Sequence, residues 1–102
     1  MKYENWLFGK DGALFRASAL GRLDLVVELV ANGASINARS NNGYTPLHRA
    51  SQNGHADIVE FLLEHGAIPD AESKDKQTPL SLAAQNKHSG IETTLRKHCT
   101  KK

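Results

Sequence analysis

Apolar residues fall along this chain in short bursts at helical spacing, and the bursts return at a constant distance. Leu47 and Ala50 are three apart, so they share one face of a helix. Ile58, Phe61, Leu62 and Leu63 follow as the apolar stripe of a second helix. Polar turns separate the two, and the whole arrangement recurs every 33 residues. Thr45-Pro46-Leu47 becomes Thr78-Pro79-Leu80 and Ala50 becomes Ala83 on moving forward. Moving back, Gly54, Leu62, Gly66 and Ala67 become Gly21, Leu29, Gly33 and Ala34. A period in this range marks an array of stacked units, each too small to bury its own apolar face. The pattern predicts a helix, a turn and a second helix, three times over.

Local chemistry sets the ends of these elements. Thr45 can cap the first helix of the middle unit through its hydroxyl, and Pro46 then occupies the first helical position, where its missing N–H is not needed. Gly54 ends that helix, as suits a residue free to take positive φ. Gly66 closes the second helix, and Asn32-Gly33 does the same in the first unit.

The stretch Thr45–Ala50, the Gly54-His55 pair, Ile58-Val59, Leu62-Leu63 and Gly66-Ala67 resemble the ankyrin repeat, in three copies from about Asp11 to His98. The resemblance implies an all-α repeat solenoid: a helix-turn-helix stack with short β-hairpin fingers at 34–43 and 67–76. The expected organisation is one domain: a cap segment at 1–10, repeats at 11–39 and 40–72, and a last repeat with its cap at 73–102. It also implies that His48 and His55 bridge neighbouring loops by hydrogen bonds, with His88 repeating His55 in register.

The outer repeats depart from the pattern. In the first, Gly12-Ala13 replaces Thr-Pro and Phe15 stands where the second has His48. Tyr3, Trp6, Leu7 and Phe8 take the place of a preceding finger and are expected to cover the open end of the stack. In the third, Lys76 and Lys87 replace glycines, Ser81 replaces histidine, and Glu92, Thr93 and Thr94 replace Val59, Glu60 and Phe61. Ile68-Pro69 replaces the usual polar start of the hairpin. Ile91 and Leu95 remain for the core, so the polar outer face reads as a C-terminal cap. With both ends finished in this way, the chain is expected to be a complete small protein or a well-cut domain.

Composition narrows the function classes. No apolar run approaches the ~20 residues that span a bilayer, and Trp6-Leu7-Phe8 is cut short by Gly9-Lys10-Asp11, unlike a secretory leader. The single cysteine, Cys99, forms no internal disulfide framework, which suggests a reducing compartment, cytoplasmic or nuclear. Net charge is +2, too small to imply a polyanionic partner. Its distribution is uneven: residues 1–71 carry six Lys/Arg against eight Asp/Glu, and residues 72–102 carry seven against three. Arg96, Lys97, Lys101 and Lys102 make a basic end that could contact nucleic acid or an anionic surface, but it lacks aromatic residues for stacking bases.

Catalytic signatures are absent from the sequence. The five histidines, His48, His55, His65, His88 and His98, include no HExxH pair. No CxxC, acidic calcium loop or glycine-rich phosphate loop occurs. Cys99 has only the adjacent His98, which a helix points elsewhere, so no base stands ready to activate it. Neither an enzyme, a cofactor nor a metal is expected. Asn37 lies eight residues after Leu29, a spacing that resembles hydroxylated ankyrin asparagines, although Ser35 stands where an acidic residue is usual. The simpler expectation is that Asn37 bonds the finger backbone.

What the resemblance implies about function is binding of another protein by a chain that is itself monomeric. Partners of such repeats meet the finger tips and the exposed side of the first helices. Carried over, the first finger supplies Arg39, Asn41, Asn42 and Tyr44, and the second supplies Glu72, Lys74, Asp75 and Gln77. The helices supply Gln52 and Asn53, repeated 33 residues later as Gln85 and Asn86. Ala19 and Leu20 hold those positions in the first repeat, which makes Leu20 a candidate apolar contact. Tyr44 is the expected anchor, because aromatic residues dominate binding hot spots.

Overall fold

The computed structural model describes residues 9–99. They form six helices in three antiparallel pairs: α1 (Gly9–Leu20) with α2 (Leu23–Ala31), α3 (Pro46–Asn53) with α4 (Ala56–Glu64), and α5 (Pro79–Gln85) with α6 (Ser89–Cys99). The first helices of the pairs stack in one row, α1 on α3 on α5, and the second helices stack in another, α2 on α4 on α6. The aromatic segment expected to cover the open end, Tyr3 to Phe8, lies outside the described residues.

The expected caps form. Thr45 Oγ1 accepts from the His48 N–H, and Thr78 Oγ1 accepts from the Ser81 N–H, with Pro46 and Pro79 opening the two helices. Each inner helix then ends in the same way. Gly21, Gly54 and Lys87 take positive φ, and the next N–H, of Arg22, His55 or His88, returns to the carbonyl of Ala17, Ala50 or Ala83 at 2.9–3.0 Å. The outer helices end on Gly33 and Gly66, at φ 98° and 99°.

The core lies between the two rows. Leu14, Leu47, Val26, Ile58, Val59, Leu62 and Leu95 are completely or almost completely buried. Ala17, Ala50 and Ala83 are buried in register along the inner row, and their small side chains let successive inner helices approach closely. The α4 stripe differs in one member from the expected set. Val59 is fully buried, while Phe61 is half-buried and stacks on His65 with ring centroids 4.0 Å apart.

The fingers also differ in detail: no strand forms among the described residues. Each finger is a tight turn. Ser40 N–H bonds the Tyr44 carbonyl at 2.8 Å and Gly43 N–H bonds the Ser40 carbonyl at 2.9 Å. The second finger repeats this at Ser73, Gln77 and Lys76, with both bonds at 2.9 Å. The serine hydroxyls, accepting from the Tyr44 and Gln77 N–H groups, close the turns before a ladder can extend. Asn37 likewise does not bond its own finger. Its amide reaches the following loop, donating to the Gly66 carbonyl and accepting from the Ile68 N–H, both at 3.0 Å.

Why lysine serves at two glycine positions follows from what stacks above each. A Cβ on Gly54 would sit 2.7 Å from the His88 ring, and one on Gly43 would sit 2.9 Å from the Lys74 amide nitrogen. Lys87 and Lys76 keep the left-handed backbone, at φ 63° and 68°, but no further repeat lies over them among the described residues. There the cost is only the backbone strain of a non-glycine residue, roughly 1–2 kcal/mol. Gly54→Ala is therefore expected to destabilise the chain by about 1–3 kcal/mol, through strain plus displacement of the His88 ring. Lys87→Gly is expected to be neutral or to stabilise by up to about 1 kcal/mol. Urea denaturation of the two variants against wild type checks both signs.

Candidate functional site

Histidines tie the inner helices and the fingers of neighbouring repeats together. His48 lies fully buried at the base of the first finger. Its Nδ1 accepts from the Thr45 N–H at 3.1 Å, which leaves Nε2–H to donate to the Gln77 carbonyl at 2.8 Å. Burial, and then the charges of Arg39 and Arg49, hold this imidazole below the ordinary histidine value, against the pull of the Gln77 and Ala71 carbonyls. His55 and His88 act at the other end of the inner helices. Each Nε2–H donates at 3.1 Å to a carbonyl 36 residues earlier, of Ala19 and of Gln52. The bridging expected of His48, His55 and His88 is thus met, each histidine crossing from one helical pair to the next.

The fingers are joined directly. Lys74 N–H donates to the Asn42 carbonyl at 3.0 Å, and Arg39 Nη1 donates to the carbonyls of Glu72 at 2.7 Å and Gly43 at 3.1 Å. Ser73 donates to the Asp75 carboxylate within the second turn. A polar cleft of about 340 Å³ opens between the fingers, lined by Asn42, Tyr44, Arg49, Lys74 and Asp75.

The structure gives the expected contact residues different surroundings. Asn42, Tyr44, Lys74 and Asp75 meet at this cleft. Arg39, Asn53 and Gln77 spend their side chains on the scaffold. Asn53 donates to the Ala19 carbonyl at 2.9 Å, and Gln77 Oε1 accepts from Ser81 and from Gln85, both at 2.9 Å. Asn86 donates to the Leu82 carbonyl within its own helix. Its register with Asn53 therefore does not extend to a shared role. Gln52 holds Arg49, and Gln85 and Glu72 are exposed. Asn41 is half-buried, its Oδ1 buried without a partner among the described residues.

One cleft residue was missed by sequence reasoning. Arg49 lies with its guanidinium carbon 4.6 Å from the Tyr44 ring centroid and 5.6 Å from that of Phe15. Its signal was its register with Arg16, 33 residues before it on the first inner helix. Leu20 is 73% exposed, as expected. It flanks an apolar cleft of about 390 Å³ between α1 and α2, which also takes in Leu25 and Leu29.

A family profile described as ankyrin repeats (3 copies) matches residues 14–101. The chain belongs to the ankyrin-repeat family. Comparison with curated proteins gives no match. Ankyrin repeats are generally protein–protein interaction modules and typically non-enzymatic. In this ankyrin stack, no group of three or more His, Cys, Asp or Glu among the described residues could hold a metal ion. On the exposed Cys99, such burial as there is, and then the Asp70 carboxylate, push the thiol up, away from the activated state of a nucleophile. No described helix is long and apolar enough to cross a membrane. At the basic end, Arg96 pairs with Glu92 at 3.5 Å, and Lys101 and Lys102 lie outside the described residues.

The buried His48 gives the ankyrin stack a defined acid sensitivity. Its folded-state proton affinity is lowered from 6.5, so on acidification the unfolded chain takes up this proton before the folded chain does. The stabilisation is complete above about pH 6.5 and is lost as pH falls through the depressed folded value. Urea midpoints are expected to fall between about pH 7.5 and pH 5, and to fall less in His48→Gln, which has no imidazole to titrate at this position. Equal midpoints for wild type at the two pH values would contradict the neutral, doubly bonded imidazole.

Proposed function

We propose that this ankyrin domain is an adaptor, scaffold or inhibitory subunit that binds a partner protein on its concave face. The surface comprises the finger residues Asn42, Tyr44, Lys74 and Asp75 together with Arg49 and Gln52 on α3. The observation that carries the reading is that this face is organised before any partner arrives. The half-buried Tyr44 ring lies against Arg49, Arg49 is tied to Gln52 at 2.7 Å, and the two fingers are bonded to each other. A surface whose side chains are already ordered loses less entropy on association, so more of its contact energy appears as affinity. Tyrosine and arginine are also the residue types that most often carry such energy. A cytoplasmic or nuclear location belongs to the same reading and rests on the lone Cys99.

Affinity capture from native lysate, run in parallel with wild type and with Tyr44→Ala/Gln52→Ala, tests the proposal. Partners that depend on this face are expected to be lost from the double variant while its fold, followed by circular dichroism, persists. For an isolated partner, Tyr44→Ala is expected to cost about 1–4 kcal/mol of binding free energy in calorimetry. Partners retained equally by both proteins would move the binding surface away from the concave face.

A further inference from the structure

Arg49 holds the centre of the concave face in a conformation that is already fixed. It is flanked by Tyr44 of its own repeat and Phe15 of the preceding one, and its Nη1 donates to Gln52 Oε1 at 2.7 Å. A guanidinium carries five N–H donors in one plane. That bond uses one of them.

The cleft that Arg49 lines is lined also by Lys74 and Asn42. The one carboxylate there, Asp75, is engaged by the Ser73 hydroxyl. The residues that line the cleft carry two positive charges against one negative.

We propose that the cleft receives an aspartate or glutamate side chain from an acidic stretch of the partner protein, forked on the Arg49 guanidinium and met by Lys74. This rests on the reading that the concave face is the binding surface, and it names the chemistry that the face selects. A planar guanidinium held at one orientation matches the two oxygens of a carboxylate, and charge-assisted pairs of this kind are roughly twice as strong as neutral ones. Nucleic acid suits the cleft less well. Binding a strand requires a track of several phosphate contacts and open aromatic faces for stacking. Here the net charge of the cleft is a single positive unit, and the Tyr44 ring is already covered by Arg49.

The test is an NMR titration of the full ¹⁵N-labelled chain with three probes: an end-blocked hexaglutamate peptide, its hexaglutamine counterpart, and a dT12 oligonucleotide. Hexaglutamate is expected to shift the resonances of Asn42, Tyr44, Arg49 and Lys74, including the Arg49 side-chain N–H, and hexaglutamine is expected not to. Arg49→Gln should weaken the peptide about fivefold or more, and Arg49→Lys should fall between, because it keeps the charge and loses the fork. Lys74→Gln, an exposed side chain, gives the same comparison should Arg49→Gln fail to fold; its expected loss is about twofold or more. No cleft response to hexaglutamate, an equal response to hexaglutamine, unchanged affinity in a folded Arg49→Gln, or a stronger cleft response to dT12 would each overturn the proposal. A partner captured through Tyr44 but indifferent to Arg49→Gln would leave the concave face in place and remove the acidic group. A partner indifferent to Tyr44 and Gln52 would remove the concave face itself.

Discussion

An imidazole that reaches from one repeat to a backbone carbonyl of the repeat before it sets the geometry of this molecule. His55 meets the Ala19 carbonyl and His88 meets the Gln52 carbonyl, each across 36 residues. In both places the ring lies over a glycine, Gly21 or Gly54, so closely that an added Cβ would come within 2.6–2.7 Å of it. One position therefore has to meet two demands. It must take positive φ to end an inner helix, and it must carry no side chain where the next repeat's ring is seated. A neutral hydrogen bond of this type contributes only about 0.5–1.5 kcal/mol. Its larger effect is to fix the spacing at which the next pair of helices docks, and the buried Ala17, Ala50 and Ala83 row follows from that spacing.

The same economy shapes the outward face. Much of the polarity on the concave side is occupied in joining repeats: Arg39 to Glu72, Asn53 to Ala19, His48 to Gln77, and Lys74 to Asn42 through the backbone. On the proposed reading, a partner meets what remains. That remainder is a coherent set around Tyr44 and Arg49, because the bonds beneath it hold the fingers and α3 as one surface. The proposed recognition surface and the stack thus share contacts, since the His48 bridge to Gln77 lies at the base of the finger that carries Tyr44.

The repeat, its helices and their caps were legible in the sequence because each is decided locally. Thr45-Pro46, Gly54 and the leucines at positions 62 and 63 carry their meaning within a few residues. What escaped is decided by contacts between repeats. Lys76 and Lys87 looked like departures from glycine positions, yet they keep the glycine backbone, because the crowding that excludes a side chain at Gly43 and Gly54 comes from the following repeat. Asn37 was expected to serve its own turn and instead bridges to Gly66 and Ile68. The candidate surface was legible as a set of positions but not as roles. Gln77 and Asn53 are engaged in bonds to the scaffold, and Arg49 emerged only once Phe15 of the preceding repeat was placed beside it.

Bonds between repeats hold the two fingers and the inner helices together as one surface. Native-state amide hydrogen exchange tests it at a single group, the Lys74 N–H, which lies in an exposed residue and donates to the Asn42 carbonyl of the neighbouring finger. The account predicts that this amide is strongly protected and opens together with amides of the α3 core, as one cooperative unit. Exchange of the Lys74 amide at the rate of an unstructured peptide, while α3 remains protected, would show fingers that move independently and would contradict the account.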